Sequence, residues 1–271
     1  MKIGDLFSVE GLAAVVTGGA SGIGYAIAGA LAENGARVTI FDIDAGKAEA
    51  AAGRLSLGGV KVSWTSVDVT DDGALRRAFG EAARAGAIDV VYANAGISGG
   101  PGFLTFDRER NPGAAIEDIA PAFFDRVVAT NLGSVFKTVQ AAVPHLKAAG
   151  GGRIVVTSSI SATRAETLVG APYVASKAGV AQLVRQFALE LARYAITVNA
   201  IAPGPVATDI AGGRLQSAET QARFAEHCPM HRIGACDDIV GAALFLASPA
   251  ARFITGAEIV IDGGVTLGVA D

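Results

Sequence analysis

The stretch Ala13-Ala14-Val15-Val16-Thr17-Gly18-Gly19-Ala20-Ser21-Gly22-Ile23-Gly24 runs from an apolar, β-branched segment into a glycine-rich turn and on into a helical pattern. A pyrophosphate needs such a turn: without Cβ atoms its oxygens can approach backbone N–H groups, and the positive end of a helix points at it. Gly18 would make the turn, Gly22 would permit close approach, and Gly24 would let the helix pack tightly on the strand. Any tight strand-to-helix turn attracts glycine, so the cluster alone is also a plain structural turn; its place on the first β-to-α connection favours the dinucleotide reading. No Gly-Lys-Ser/Thr follows, which disfavours a nucleoside-triphosphate loop.

About twenty residues on, Thr39-Ile40-Phe41-Asp42 ends a second strand. A carboxylate at this position accepts hydrogen bonds from the adenosine ribose hydroxyls and repels a 2′-phosphate, which selects NAD over NADP. No Lys or Arg stands in the glycine turn or directly after Asp42 to neutralise such a phosphate. Asp44 suits the capping of the next helix better than Asp42 does.

The rest of the chain repeats the rhythm. Strands are expected at Ala13–Thr17, Arg37–Asp42, Val60–Trp64, Ile88–Ala93, Arg153–Thr157, Thr197–Ala202 and Glu258–Ile261, several of them apolar at nearly every position. Helical patterns lie between them, near Gly22–Asn34, Ala45–Leu55, Asp71–Ala85, Pro121–Ala149, Ala171–Tyr194 and Asp237–Ala247. Such alternation implies an α/β fold: a doubly wound, Rossmann-type, seven-stranded parallel sheet with helices on both faces. Residues 1–271 are expected to form a single dinucleotide-binding and catalytic domain. Residues 98–117 and 204–235 break the rhythm and have the character of binding loops. The substrate pocket is expected from residues 98–117, 161–171 and 209–228, which mix Phe103, Phe106 and Leu168 with Arg108, Arg110, Arg164 and Arg214.

Composition narrows the function classes. With 51% hydrophobic and 18% charged residues the chain can bury a large core. A formal charge of -4 with no clustered Lys/Arg face sets nucleic acid aside. Two cysteines, Cys228 and Cys236, cannot build a disulfide framework, and no uncharged apolar run is long enough for a membrane span, so the expected setting is cytoplasmic. His227, Cys228, His231 and Cys236 are potential metal ligands but lack paired, hairpin-like spacing, and no metal is expected.

Tyr173 and Lys177 stand four apart in Pro172-Tyr173-Val174-Ala175-Ser176-Lys177, on one face of a helix. A free phenol, with a pKa of about 10, is a poor base near neutrality, but a neighbouring ammonium and an oxidised nicotinamide both lower that value. Alone, such a pair is better explained by a surface contact; the company it keeps reverses that. Upstream, Arg153-Ile154-Val155-Val156-Thr157 leads into Ser158-Ser159-Ile160-Ser161, where a strand-end hydroxyl can polarise a carbonyl or simply start a loop. Asn131 interrupts a helical pattern it suits badly; a kink admitting water would give it a purpose, as would a structural role.

Taken together these residues resemble the short-chain dehydrogenase/reductase family in its single-domain branch, from about Val9 to Gly264. The resemblance rests on Thr17-Gly18-x-x-x-Gly22-x-Gly24, Asn94-Ala95-Gly96, Asn131, Ser159, Tyr173-x-x-x-Lys177 and Pro203-Gly204. The longer Tyr-to-Lys spacing of the enoyl-reductase branch is absent, since position 180 is Val. The resemblance implies an NAD-dependent oxidoreductase interconverting a secondary alcohol and its ketone. Tyr173 would be the acid/base, Lys177 would hold the nicotinamide ribose, Ser159 the substrate oxygen, and Asn131 a relay water. Cofactor contacts are implied at Gly18, Ser21, Gly22, Ile23, Gly24, Asp42, Asp68, Val69, Asn94, Ala95, Gly96, Pro203, Gly204, Val206 and Thr208, besides Tyr173 and Lys177. Homotetramers are expected through the Ala171–Tyr194 helix, where Ala178, Ala181, Leu183, Val184, Phe187 and Leu191 exceed one core stripe; a burial-rich core helix is the plainer alternative.

Two departures stand out. The gap from Ser159 to Tyr173 is one residue longer than the family pattern, which keeps Ser161 as an alternative serine, and the loop after Gly96 is also long. A second function class is a catalytically inactive NAD-binding sensor or scaffold.

Overall fold

The computed structural model describes residues 2–56, 60, 62–211 and 213–268. Its seven strands are β1 (Ala13–Thr17), β2 (Arg37–Asp42), β3 (Val62–Ser66), β4 (Val90–Ala93), β5 (Gly152–Thr157), β6 (Ile196–Pro203) and β7 (Glu258–Ile261). They form one all-parallel sheet in the order β3-β2-β1-β4-β5-β6-β7. The order reverses between β1 and β4, and that switch point opens a crevice at the carboxyl ends of the strands.

Alternation along each strand divides the core in two. Val16, Ile40, Tyr92 and Ile201 face α2 (Gly22–Glu33), α3 (Ala45–Leu55) and α9 (Asp237–Ala247). Val15, Phe41, Val91 and Val198 face α4 (Asp72–Arg84), α6 (Ser134–Ala148) and α7 (Ala171–Leu191). A parallel sheet buried on both sides in this way explains the nearly continuous apolar strands.

The third strand begins at Val62; Lys61, within the expected Val60–Trp64 segment, lies outside the described residues. The helix expected over Pro121–Ala149 is broken: α5 (Pro121–Val128) ends in a π turn, Ala129–Gly133, before α6 starts. Short helices α1 (Ile3–Phe7) and α8 (Ala218–Ala225) were not foreseen. The latter starts at Ser217, whose hydroxyl accepts a hydrogen bond from Thr220 N at 3.2 Å. Among the α7 residues that suggested an interface, Ala181, Val184, Phe187 and Leu191 are instead buried in this chain's own core. Leu189, 79% exposed on the same helix, and Phe136 on α6, 45% exposed, remain uncovered.

Steric room separates two helical glycines. A Cβ on Gly24 would lie 2.2 Å from the Gly18 carbonyl oxygen and 2.5 Å from Asn94 Nδ2, whereas one on Gly80, in α4, meets nothing within 4 Å. Gly24→Ala should therefore cost about 1–3 kcal/mol by overpacking. Gly80→Ala should stabilise by about 0.5–1 kcal/mol. Thermal melts should move in opposite directions; a Gly24→Ala protein melting at or above the parent temperature would contradict this packing.

Candidate active site

At the carboxyl ends of the strands, side chains take over where the backbone ladder stops. Thr17 Oγ1 accepts hydrogen bonds from Asn94 N (3.0 Å) and Ala95 N (3.1 Å) and donates to Tyr92 O (3.2 Å). Asn94 Nδ2 donates to Thr17 O (3.1 Å) and Gly18 O (3.3 Å), while its Oδ1 accepts from Thr157 Oγ1 (2.9 Å). Three strand ends are thus tied across the switch point. Thr17 and Thr157 had no role assigned from sequence, although each is the last residue of its strand, where a hydroxyl can replace ladder partners.

Beside this knot lies a cleft of about 1840 Å³. Gly18, Ser21, Gly22, Ile23, Asp42, Asp68, Val69, Asn94, Ala95, Gly96, Pro203, Gly204, Val206 and Thr208 line it, as do Ser159, Tyr173 and Lys177. Gly24 and Asn131 do not line it. Gly24 sits behind the turn, and Asn131 is fully buried, with Oδ1 accepting from Ile97 N (2.8 Å) and Nδ2 donating to Ile97 O (3.0 Å) and Ser176 Oγ (3.3 Å).

The cleft fits a dinucleotide on steric grounds. Gly18 has φ +62°, and a Cβ there would stand 2.9 Å from Ala95 Cα. Gly22, at φ +53°, has on its open side only the Thr208 side chain at 3.5 Å, so the turn presents bare backbone. Ser21 at the N-cap of α2 makes no side-chain bond to the helix, leaving the first-turn N–H groups free for an anion. Asp42 is oriented by two backbone donors, Ala20 N to Oδ2 and Asp44 N to Oδ1, both at 3.1 Å. Asp44 caps α3 by accepting from Lys47 N at 3.0 Å.

At the other end of the cleft the ionisable groups gather. Lys177 is buried, donates from Nζ to Thr157 O at 2.7 Å and lies 5.5 Å from the Tyr173 ring centroid. Burial lowers its pKa to about 8, opposed by the Glu258 carboxylate. Burial also raises the Tyr173 phenol above its ordinary value, and a hydrogen bond with the Ser159 hydroxyl draws it back. The lowering of the phenol expected from sequence is therefore not produced by the protein alone. The contact distinguishes the serines: Ser159 is the hydroxyl against Tyr173, and its Oγ also accepts from Ser161 N at 3.2 Å.

The pocket residues divide. Phe106, Arg108, Arg164 and Leu168 line the cleft, whereas Phe103 and Arg110 turn into a separate surface groove, with Arg110 stacked 5.7 Å over the Phe103 ring. The side chain of Arg214 lies outside the described residues. Arg164 Nε pairs with Glu166 Oε1 at 3.2 Å, and burial raises the Glu166 carboxyl. Among the described residues no group of three or more His, Cys, Asp or Glu is gathered as a metal site, and no helix is long and apolar enough to cross a membrane.

Fold and site together define a class: Rossmann-type proteins whose switch-point crevice holds an ionisable Ser–Tyr–Lys cluster beside a glycine cradle. The chain belongs to the short-chain dehydrogenase/reductase family. The family model described as Enoyl-(Acyl carrier protein) reductase matches residues 18–266. The cis-4-hydroxycyclohexanecarboxylate dehydrogenase of Sinomonas cyclohexanicum is 38% identical over 93% of this chain and 96% of its own length. Among solved structures, a 7α-hydroxysteroid dehydrogenase with NADH and 7-oxo glycochenodeoxycholic acid superposes with TM-score 0.86 at 32% identity, covering 100% of this chain and 99% of the other. A gluconate 5-dehydrogenase of Burkholderia cenocepacia, with NADP and tartrate, gives TM-score 0.86 at 33% identity over 98% and 99% of the two chains.

The depressed Lys177 pKa has a consequence for stability. An amine near 8 when folded and 10.5 when unfolded binds fewer protons in the folded state between those values, so its contribution to stability rises with pH across that window. The stability of the parent relative to Lys177→Met should therefore increase from pH 7 to pH 10. A flat difference in denaturant midpoints over that range would contradict the assigned burial.

Proposed function

We propose that the protein is an NAD-dependent oxidoreductase that interconverts a secondary alcohol and its ketone, with Tyr173 as acid/base and residues 1–271 as one dinucleotide-binding and catalytic domain. The observation that carries this reading is the convergence of the Tyr173 phenol, the Ser159 hydroxyl and the buried Lys177 ammonium in one cleft with the glycine turn. Bound there, a nicotinamide dinucleotide supplies the hydride acceptor or donor. Ser159 holds the substrate oxygen, and Tyr173 takes the hydroxyl proton during oxidation or returns it during reduction. Lys177, anchored on Thr157 O, holds the nicotinamide ribose and favours the phenolate by its charge. Asn131 has both side-chain functions committed to Ile97 and Ser176, so in a relay through Lys177 its main chain holds the water, at a π turn where regular helical bonding is interrupted.

Asp42 supports NAD. Named relatives hold either cofactor, but here two backbone N–H groups keep the carboxylate in place, and a 2′-phosphate beside it would meet unrelieved repulsion. The same reading includes a homotetramer, supported by the uncovered Leu189 and Phe136, and a cytoplasmic setting, supported by the unpaired Cys228 and Cys236. The alternative of an inactive NAD-binding sensor or scaffold leaves the Tyr173 phenol, set against the Ser159 hydroxyl, without a purpose.

Tyr173→Phe should keep NADH binding, followed by fluorescence, and lose turnover by about 10²–10⁴-fold, the usual contribution of a positioned acid/base. Near-parental turnover would remove Tyr173 from the chemistry. Asp42→Ala should narrow the ratio of kcat/KM for NAD over NADP. Equal use of both cofactors by the parent would overturn the electrostatic argument.

A further inference from the structure

The two stretches longer than the family pattern are partners in space. Pro101 bridges Val169 in antiparallel fashion, Gly102 N donates to Leu168 O and Leu104 N to Thr167 O, both at 3.1 Å, and Gly170 N donates to Gly100 O at 3.2 Å. Close approach makes glycine obligatory along this ladder. A Cβ on Gly102 would stand 2.1 Å from Thr167 O, and one on Gly99 would stand 2.4 Å from Tyr173 Cβ. The loop after β4 is therefore seated directly against Tyr173.

Farther along, the same loop reaches across the cleft to α8. Phe106 meets Phe224 edge-on with centroids 4.8 Å apart, and the Arg223 guanidinium lies 5.0 Å over the Phe106 ring. Arg223 also pairs with Asp107 through two contacts, one of them Nη1 to Oδ2 at 3.1 Å. His227 Nδ1 contacts Arg223 O at 3.0 Å. Phe106, Asp107, Arg223, Phe224 and His227 all line the cleft that holds Ser159 and Tyr173.

We infer that Phe106 and Phe224, clasped by the Asp107–Arg223 ion pair, roof the substrate end of the cleft and make compact secondary alcohols or ketones the preferred substrates. This rests on the functional reading above. Among the described residues the two segments share no backbone hydrogen bond and meet through these side chains. The ion pair is solvent-exposed and therefore weak. It fixes orientation, while the aromatic edge supplies the wall. A bulky substrate has to part the clasp.

Two measurements test the roof. Hydrogen exchange in α8 should accelerate about threefold in Asp107→Ala, the scale of an exposed ion pair. The charge-exchanged double variant, Asp107→Arg with Arg223→Asp, should recover most of the protection. Rates of NAD reduction with cyclohexanol, decahydronaphthol and a 3-hydroxysteroid give the size preference: the parent should favour the smallest, and Phe106→Ala should raise kcat/KM for the largest relative to the smallest about tenfold. Unchanged exchange in Asp107→Ala, or an unchanged ratio in a folded and active Phe106→Ala protein, would overturn the inference. If the parent transferred hydride to or from none of a broader panel of alcohols and ketones while α8 responded as expected, the proposed function would fail and the clasp would stand.

Discussion

The hydrogen bonds that Asn94 makes across the switch point hold the rest of the site in register. A parallel ladder ends abruptly, and the backbone groups just beyond it need partners if they are buried. Asn94 supplies these to Thr17 O and Gly18 O while accepting from Thr157, and Thr17 returns a hydroxyl to the backbone of Asn94 and Ala95. The glycine turn is thus referenced to β4 and β5 as well as to its own strand. Lys177 binds the carbonyl of that same Thr157. Cradle and cation are two ends of one bonded network, which fixes their spacing.

Charge is distributed unevenly over this frame. At the glycine-turn end Asp42 is half-buried and aimed by two main-chain donors, so its carboxylate cannot turn aside. At the reacting end Lys177 and Tyr173 are both pushed toward their neutral forms by burial. A buried ammonium near pKa 8 is still largely charged at neutrality, and its nearest fixed partner is a carbonyl dipole, with Glu258 as the opposing carboxylate.

Most of the framework was legible in the sequence because local chemistry and fold agree there. The bounds of β1, β2, β7, α3 and α9 coincide with the apolar runs and helical patterns that announced them. The glycines were legible for the same reason, since each answers a steric demand of one turn. What escaped depends on contacts between distant segments. The π turn at Ala129–Gly133 falls where Asn131 suggests a kink, but the partners that hold it there, Ile97 and Ser176, lie far off in sequence. The apolar surplus of α7 is open in the sequence to an interface or a core helix, and most of it is consumed by a sheet buried on both faces. Phe103 and Arg110 carry the same residue chemistry as Phe106 and Arg108, and only the path of the loop turns one pair outward and the other into the cleft.

That division between frame and loops also explains how such a site can change its reach. Ser159, Tyr173 and Lys177 sit on the short turn after β5 and on α7, both bound into the core. The walls come from segments joined to that frame by a few backbone bonds, such as Gly102 to Leu168, and by side chains at their tips. Length added to one wall leaves backbone donors and acceptors to satisfy, and here the loop after Ser159 satisfies some of those from the loop after Gly96. Two irregular stretches that each look like a departure are, in this sense, a single structural change. It shapes the space above Tyr173 without touching the bond from Lys177 to Thr157, so the loops and the sheet-bound cluster are structurally separate.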